Sequence, residues 1–325
     1  MSRILVTGGT GFVGRALCPM LVNQGLRVSV ATRSPRVAET IGHVDVRPIP
    51  GVGPGVDWSV ALRDVDAIVH LAARVPTQIE EQNRQLARDL QRVNVEGARK
   101  LAEDAAAAGI QRIVYISTAS IHGTHTEPDQ SFREADPPAP ADLYSRSKWD
   151  AEQVLAQVAE SCDLELFVLR PPLVYGPRVK GDFLALLRRI ENARILTVAG
   201  HGASSPNCRS LLYVENLCDA IVCCLATTEA AGGTFLVRDG EDLSAPEILR
   251  SLAQAMMKDV RIVQVPRPLL RIAARLTGNG RALNCASTSF CVDDSAIRQQ
   301  LGWTPPRYVL EGFSATVAWL PSSSH

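Results

Sequence analysis

A doubly wound α/β fold is predicted for this chain: a parallel sheet with helices on both faces, followed by a smaller C-terminal α/β lobe. Three observations predict it. Short β-branched runs alternate with longer helical patterns through the first half of the chain. A glycine-rich turn at residues 8–14 separates the first run from the first helical pattern. After Arg170 proline and glycine become frequent and the elements shorten. That change places a boundary, with residues 1–170 as the sheet domain and 171–325 mainly as the second lobe, some of whose strands return to the sheet.

Taken in order, residues 3–7 form an apolar strand, and residues 14–24 have helical spacing that stops at Gly25. Residues 27–32 are a second strand and 44–48 a weak third. A short helical stretch at 59–63 leads into a buried strand at 67–71. Residues 81–108 carry one long helical pattern, ended by Gly109. A strand follows at 112–117, a helix at 143–161 and a strand at 165–170. Beyond these, helices are expected at 183–192, 214–226 and 244–258, and a strand at 234–237. Ser244, with Glu247 three residues on, has the spacing of a capping box. Residues 322–325 are expected to fray.

With 325 residues, 46% of them hydrophobic, the chain can bury a sizeable core, which excludes global disorder. Lys plus Arg and Asp plus Glu number 34 each, so no net field draws it to nucleic acid or anionic lipid. No run reaches the roughly 20 apolar residues that cross a bilayer, and the most apolar stretch, 217–226, contains Asp219. A first strand that opens at Ile4 leaves no room for a secretory leader. Eight cysteines without CxxC spacing read as free thiols of a reducing compartment. The cytoplasm is the expected location, and no metal site is expected.

Gly8, Gly11 and Gly14 stand in G-x-x-G-x-x-G spacing directly after the first strand, with Phe12 and Val13 entering the helix. Glycines there permit a tight turn and let backbone N–H groups approach a pyrophosphate at a helix N-terminus. The second strand ends in Thr32-Arg33-Ser34, with no acidic residue to bond both ribose hydroxyls. Arg33 can pair with a 2′-phosphate, and Ser34 can add a hydroxyl. NADP(H) is therefore the expected cofactor, with NAD(H) as the alternative.

Tyr144 and Lys148 lie four residues apart at the start of a helix and so share one face. An ammonium beside a phenol, with an oxidised nicotinamide near, is expected to lower the phenol's pKa below its usual value near 10. Such a tyrosine gives or takes a proton at a carbinol while hydride moves to or from the cofactor. The strand at 112–117 delivers hydroxyls to its carboxyl end, where doubly wound sheets place their sites. Ser117, Thr118 and Ser120 compete for that role.

Together these segments resemble the extended short-chain dehydrogenase/reductase superfamily, in its nucleotide-sugar epimerase/dehydratase branch. The resemblance runs through residues 7–14, 65–73 (VDAIVHLAA), 93–97 (VNVEG), 118–123, 144–148, 169–177 (LRPPLVYGP), 209–216 and 301–305 (LGWTP), and covers nearly the whole chain. It implies a Rossmann-type fold. By position it implies Thr118 as the catalytic hydroxyl, Tyr144 as acid/base and Lys148 as the holder of the nicotinamide ribose. Leu71, Ala72, Ala73 and Pro171 then border the cofactor, and Asn94 contacts or supports its nicotinamide half. Thr118 and Ser120 face the substrate, Arg209 meets its diphosphate, and Asp182 stands where relatives often carry Asn.

The implied substrate is a UDP-linked sugar, N-acetylated or 6-deoxy, as in 4-ketoreductases and 4-epimerases of surface polysaccharide synthesis. Leu173 replaces the Asn of 4-epimerases, His122 the commoner Tyr, and Arg33 the acidic ribose ligand. On these departures a UDP-4-keto-sugar reductase is expected ahead of a 4-epimerase. Dehydratases follow the catalytic Thr with an Asp–Glu pair, whereas Ala119 and Ser120 follow here. A non-catalytic dinucleotide-binding regulator would be expected to lack Tyr or Lys, and both are present. The family's dimers imply a homodimer through the helices at 81–108 and 143–161. Ala102, Ala105 and Ala106 on one helix, and Ala151, Leu155 and Val158 on the other, form faces that suit either that packing or ordinary core.

Overall fold

The alternation of short apolar runs and helical patterns is realised in the computed structural model, which describes residues 2–76, 84–127, 129–200, 207–228, 230–266 and 288–320. The first half contains β1 (Arg3–Thr7), α1 (Phe12–Asn23), β2 (Arg27–Thr32), α2 (Pro35–Glu39), β3 (Asp45–Pro48), β4 (Ala67–His70), α3 (Arg84–Leu90), α4 (Gly97–Ala107), β5 (Arg112–Ile116), α5 (Leu143–Cys162) and β6 (Glu165–Arg170). The second half contains β7 (Leu173–Tyr175), α6 (Gly181–Asn192), β8 (Ile195–Gly200), β9 (Cys208–Tyr213), α7 (Val214–Ala226), β10 (Gly232–Leu236), β11 (Asp242–Ser244), α8 (Ala245–Ala255), β12 (Arg261–Pro266), α9 (Ser295–Leu301) and α10 (Val309–Trp319).

Seven strands form one sheet in the order β10-β6-β5-β4-β1-β2-β3. Every neighbouring pair is parallel. The order runs outward from β1 in both directions, which is the Rossmann-type doubly wound arrangement. Its interior strands are apolar on both faces. Leu5, Ile68 and Ile113 pack with Leu101, Ala151 and Leu155 of α4 and α5. Ile4, Val6 and Val69 point the other way and join Leu17, Leu21, Leu217 and Ile221 of α1 and α7. Because all seven strands run one way, the carboxyl ends of β1, β4, β5 and β6 lie side by side at one edge.

Three expectations change. Residues 59–63 are a run of turns, not a helix. The Leu62 N–H donates to the Trp58 carbonyl (2.9 Å), and Asp64 in the left-handed region (φ 55°) ends the run before β4. The helix expected at 81–108 is interrupted: α3 and α4 are joined by a π-helical turn, Gln91–Glu96, and residues 81–83 lie outside the described residues. The wider turn carries Asn94 inward, where its side chain is fully bonded, a common use of π-turns. Finally, Ala102, Ala105, Ala151, Leu155 and Val158 are not a face for a second copy. They are buried where α4 and α5 pack on each other and on the sheet, and Ala106 is half-buried there.

The strand expected at 234–237 is β10, and it lies beside β6 at the sheet edge. The other late strands form a β11-β9-β7 sheet and a β12-β8 pair. Tyr175, Phe183, Tyr213 and Phe313 cluster at the core of this half, with Tyr175 stacked on Phe183. α8 begins with the expected capping box: Ser244 Oγ accepts from Glu247 N–H, and Glu247 accepts from Ser244 N–H at 2.8 Å. Residues 322–325 lie outside the described residues. Among the described residues no helix is long and apolar enough to cross a membrane.

Candidate active site

The turn after β1 is built so that only glycine fits at its two ends. Gly8 has φ +70°, and a Cβ there would stand 2.8 Å from the Ala72 nitrogen and 2.9 Å from the Leu71 carbonyl carbon. A Cβ on Gly14 would stand 2.4 Å from Gly9 Cα and 2.6 Å from the Gly8 oxygen. The turn is therefore pressed against the Leu71–Ala72 backbone that leaves β4, and Thr7 Oγ1 accepts the Ala72 N–H at 3.2 Å. Gly11 precedes α1 with no side-chain cap, and no acidic residue lies in the first turn. The leading N–H groups, Phe12 and Val13 among them, lack a side-chain partner and suit an anion. Leu71, Ala72 and Ala73 are half-buried beside this cradle.

The next two strands supply the polar groups. Thr118 starts a 3-10 turn, Ala119–His122, and its Oγ1 accepts from Ser120 N–H at 3.2 Å. Pro171 locks this turn to the end of β6, its carbonyl accepting the Ala119 N–H at 2.8 Å. Thr118 and Ser120 are half-buried, whereas Ser117 is buried and its Oγ has no partner among the described residues. Asp142 caps α5 in a reciprocal box with Ser145, which sets the helix start and places Tyr144 and Lys148 in its first two turns. Tyr144 is half-buried. Lys148 is 2% exposed and has no hydrogen bond or ion pair among the described residues.

Burial reverses the expected direction for the phenol. It pushes the Tyr144 hydroxyl up to about 12, with the Asp142 charge adding to it. It pushes Lys148 down to about 7, with Glu152 opposing. Desolvation disfavours the charged form of each group. A Lys148 ammonium with no acceptor among the described residues, an unbonded buried Ser117 hydroxyl and a cradle that a Cβ would fill together fit the ribose and pyrophosphate of a dinucleotide.

Several residues of the site are not evident from motif matching. His70 ends β4, 1% exposed, with Nδ1 2.7 Å from Thr7 Oγ1 and its ring stacked on Tyr115 at 5.7 Å. Burial, then the Lys148 charge, pushes its pKa down to about 3. Lys148 Nζ stands 4.1 Å over the Tyr115 ring. Asn94 supports this layer: its amide binds both backbone groups of Arg74 (2.7 and 3.1 Å) and Ser147 Oγ (3.0 Å). Alternation along β5 is the signal that places Tyr115 on the same face as Ile113. One turn further along α5 from Lys148, Arg170 donates to Glu152 at 2.6 Å, with its Nη1 3.1 Å from His122 Nε2.

Four further residues lie apart from this cluster. Arg33 and Ser34 follow β2 and are exposed, with Arg33 Cδ 3.7 Å from a Cβ built on Gly51. Asp182 is exposed in the first turn of α6, where a carboxylate suits the helix dipole. Arg209 is the second residue of β9, with its guanidinium 5.9 Å over Phe290. Phe290 meets Phe132 edge-on, and Phe132 stacks on His122, which ends the turn carrying Thr118 and Ser120. Glu215 pairs with Arg307 at 3.6 Å.

The profile of the NAD dependent epimerase/dehydratase family matches residues 4–237. The chain is 32% identical over 315 residues to a UDP-glucose 4-epimerase of Vibrio cholerae, covering 96% of this chain and 94% of that one. It is 30% identical over 268 residues to a 2-alkyl-3-oxoalkanoate reductase of Stenotrophomonas maltophilia, covering 78% and 76%. A UDP-glucuronic acid 4-epimerase of Bacillus cereus, solved with NAD, shares the fold at TM-score 0.75 and 20% identity over 98% of both chains.

Proposed function

Because the chain belongs to the NAD-dependent epimerase/dehydratase family, we propose that it inverts C4 of a UDP-linked hexose. The observation that carries this reading is the 32% identity, over 96% of the chain, to a UDP-glucose 4-epimerase. The position of Thr118 just after β5, and of Tyr144 and Lys148 in the first two turns of α5, supports it. When bound, the dinucleotide supplies a hydride acceptor and donor at its nicotinamide. Gly8, Gly11 and Gly14 bring the N–H groups of Phe12 and Val13 to the pyrophosphate. Lys148 holds ribose hydroxyls, and Leu71, Ala72, Ala73 and Pro171 wall the cofactor. Thr118 and Ser120 bond the sugar hydroxyl, and Tyr144 takes its proton and returns it. Arg209, on the lobe after residue 170, holds the diphosphate, with Asp182 at the lobe's edge. The chain works as a homodimer through the outward faces of α4 and α5. Purified protein incubated with UDP-glucose or UDP-N-acetylglucosamine, with no added reductant, is expected to yield the C4 epimer by proton NMR. No epimer from any UDP-hexose would sink the reading.

One observation favours a second reading. Arg33 after β2 suits a 2′-phosphate, and NADPH suits net reduction of a UDP-4-keto sugar. A reductase among the relatives supports such chemistry on this scaffold. Arg33→Asp is then expected to weaken NADP(H) much more than NAD(H) in titration calorimetry. An unchanged preference would make Arg33 a surface residue and remove this support.

A further inference from the structure

Burying an ammonium without a carboxylate or carbonyl to receive it is costly, and such groups shed their proton unless something offsets the loss of water. Lys148 is 2% exposed and in that position. The groups that face it are few. Tyr144 and Glu152 belong to its own helix, Tyr115 to β5 and His70 to β4. Glu152 carries the negative charge, but Arg170 occupies both its oxygens, at 3.2, 3.2 and 2.6 Å. His70 is neutral at physiological pH and adds no repulsion. Among the described residues the remaining counterweight is the ring of Tyr115, whose centroid lies 4.1 Å from Nζ. That ring is 1% exposed and fixed by its stacking on His70 at 22° between planes. A desolvated cation over an aromatic face is a strong form of this contact.

We propose that Tyr115 is a positioning residue: its ring face keeps the Lys148 ammonium charged and in place, while leaving its N–H groups without an acceptor among the described residues. The inference rests on the proposed function for what Lys148 does in turnover, but the contact itself does not.

Lysine labelled with ¹³C at Cε tests it directly. The chain has four lysines, so the Lys148 signal is assigned by its loss in Lys148→Met. Tyr115→Phe keeps the face. Pentafluorophenylalanine at position 115 keeps the shape and reverses the ring quadrupole. The Lys148 titration midpoint is expected within about 0.3 pH unit of the parent for Tyr115→Phe, and about one unit lower or more with the fluorinated ring. The limb of kcat that falls as Lys148 deprotonates should move by the same amount, with KM little changed. Tyr115→Leu, which removes the face by a different route, should lower the midpoint likewise and keeps the test open if the fluorinated chain fails to fold. A midpoint unmoved by loss of the face would overturn the proposal. The titration needs no substrate, so absent nucleotide-sugar turnover would count against the proposed function alone.

Discussion

Two cations are buried against α5, and they are held in opposite ways. Arg170, 5% exposed, is saturated: Glu152 takes it on two nitrogens, the Glu134 carbonyl accepts from it at 3.3 Å, and His122 Nε2 lies 3.1 Å away. Lys148, 2% exposed, has no acceptor among the described residues and stands over the face of Tyr115. A cation bonded through each of its nitrogens by its own chain is a joint between elements, here β6, α5 and the turn at residues 119–122. A cation with its donors left over is a place for a ligand, and its depressed pKa is the cost of keeping it so. The difference teaches where the chain spends its polar groups on structure and where it holds them for chemistry.

The strongest way to break the comparison is to remove each cation in turn. Arg170→Leu strands a buried carboxylate and is expected to cost about 3–5 kcal/mol in urea unfolding. Lys148→Met strands no partner, so stability at pH 7 should change by less than about 1 kcal/mol while turnover collapses. Equal stability losses would erase the distinction. Next in size, Tyr144→Phe keeps the ring and removes the transferable proton. Turnover should fall at least about 10²-fold, with circular dichroism and cofactor affinity largely kept.

Acid sharpens the Arg170 side. Burial, with the Arg170 charge adding to it, pushes His122 down to about 4, and His70 lies near 3. The unfolded chain binds protons on both rings from about pH 6.5 downward, before the folded chain does. Stability should therefore fall as pH drops from about 6.5 toward 4, with a slope near 1.4 kcal/mol per pH unit for each ring. His122→Gln should flatten that slope by about one proton in pH-dependent urea melts; an unchanged slope would mean His122 is charged in the fold. The smallest expected effect lies in the lobe. Arg209→Met should raise KM for the UDP-sugar about tenfold and leave cofactor affinity nearly unchanged. Equal losses for both ligands would indicate structural damage.

Much of this was legible because short motifs coincide with steric necessity. Gly8 and Gly14 are read from spacing, and the backbone leaves no room for a Cβ at either. β6, α7 and the Ser244 cap have the expected bounds or partners. The π-turn was not legible, since one extra residue per turn leaves the apolar period nearly intact and is set by Asn94 reaching the Arg74 backbone. The apolar faces of α4 and α5 have the same pattern whether they meet a neighbouring helix or a second chain, so periodicity alone cannot assign them. The pKa reversal at Tyr144 depends on how deeply the pair is buried, which spacing does not encode.

The most direct test of C4 inversion at this site follows a label. UDP-glucose deuterated at C4 is incubated with the purified protein and NAD, and the sugar is read by mass spectrometry and proton NMR. Inversion within one closed site predicts a C4 epimer that keeps its deuterium, formed by the parent and lost in Tyr144→Phe. Deuterium released from the sugar into free reduced dinucleotide, with no epimer formed, would contradict it.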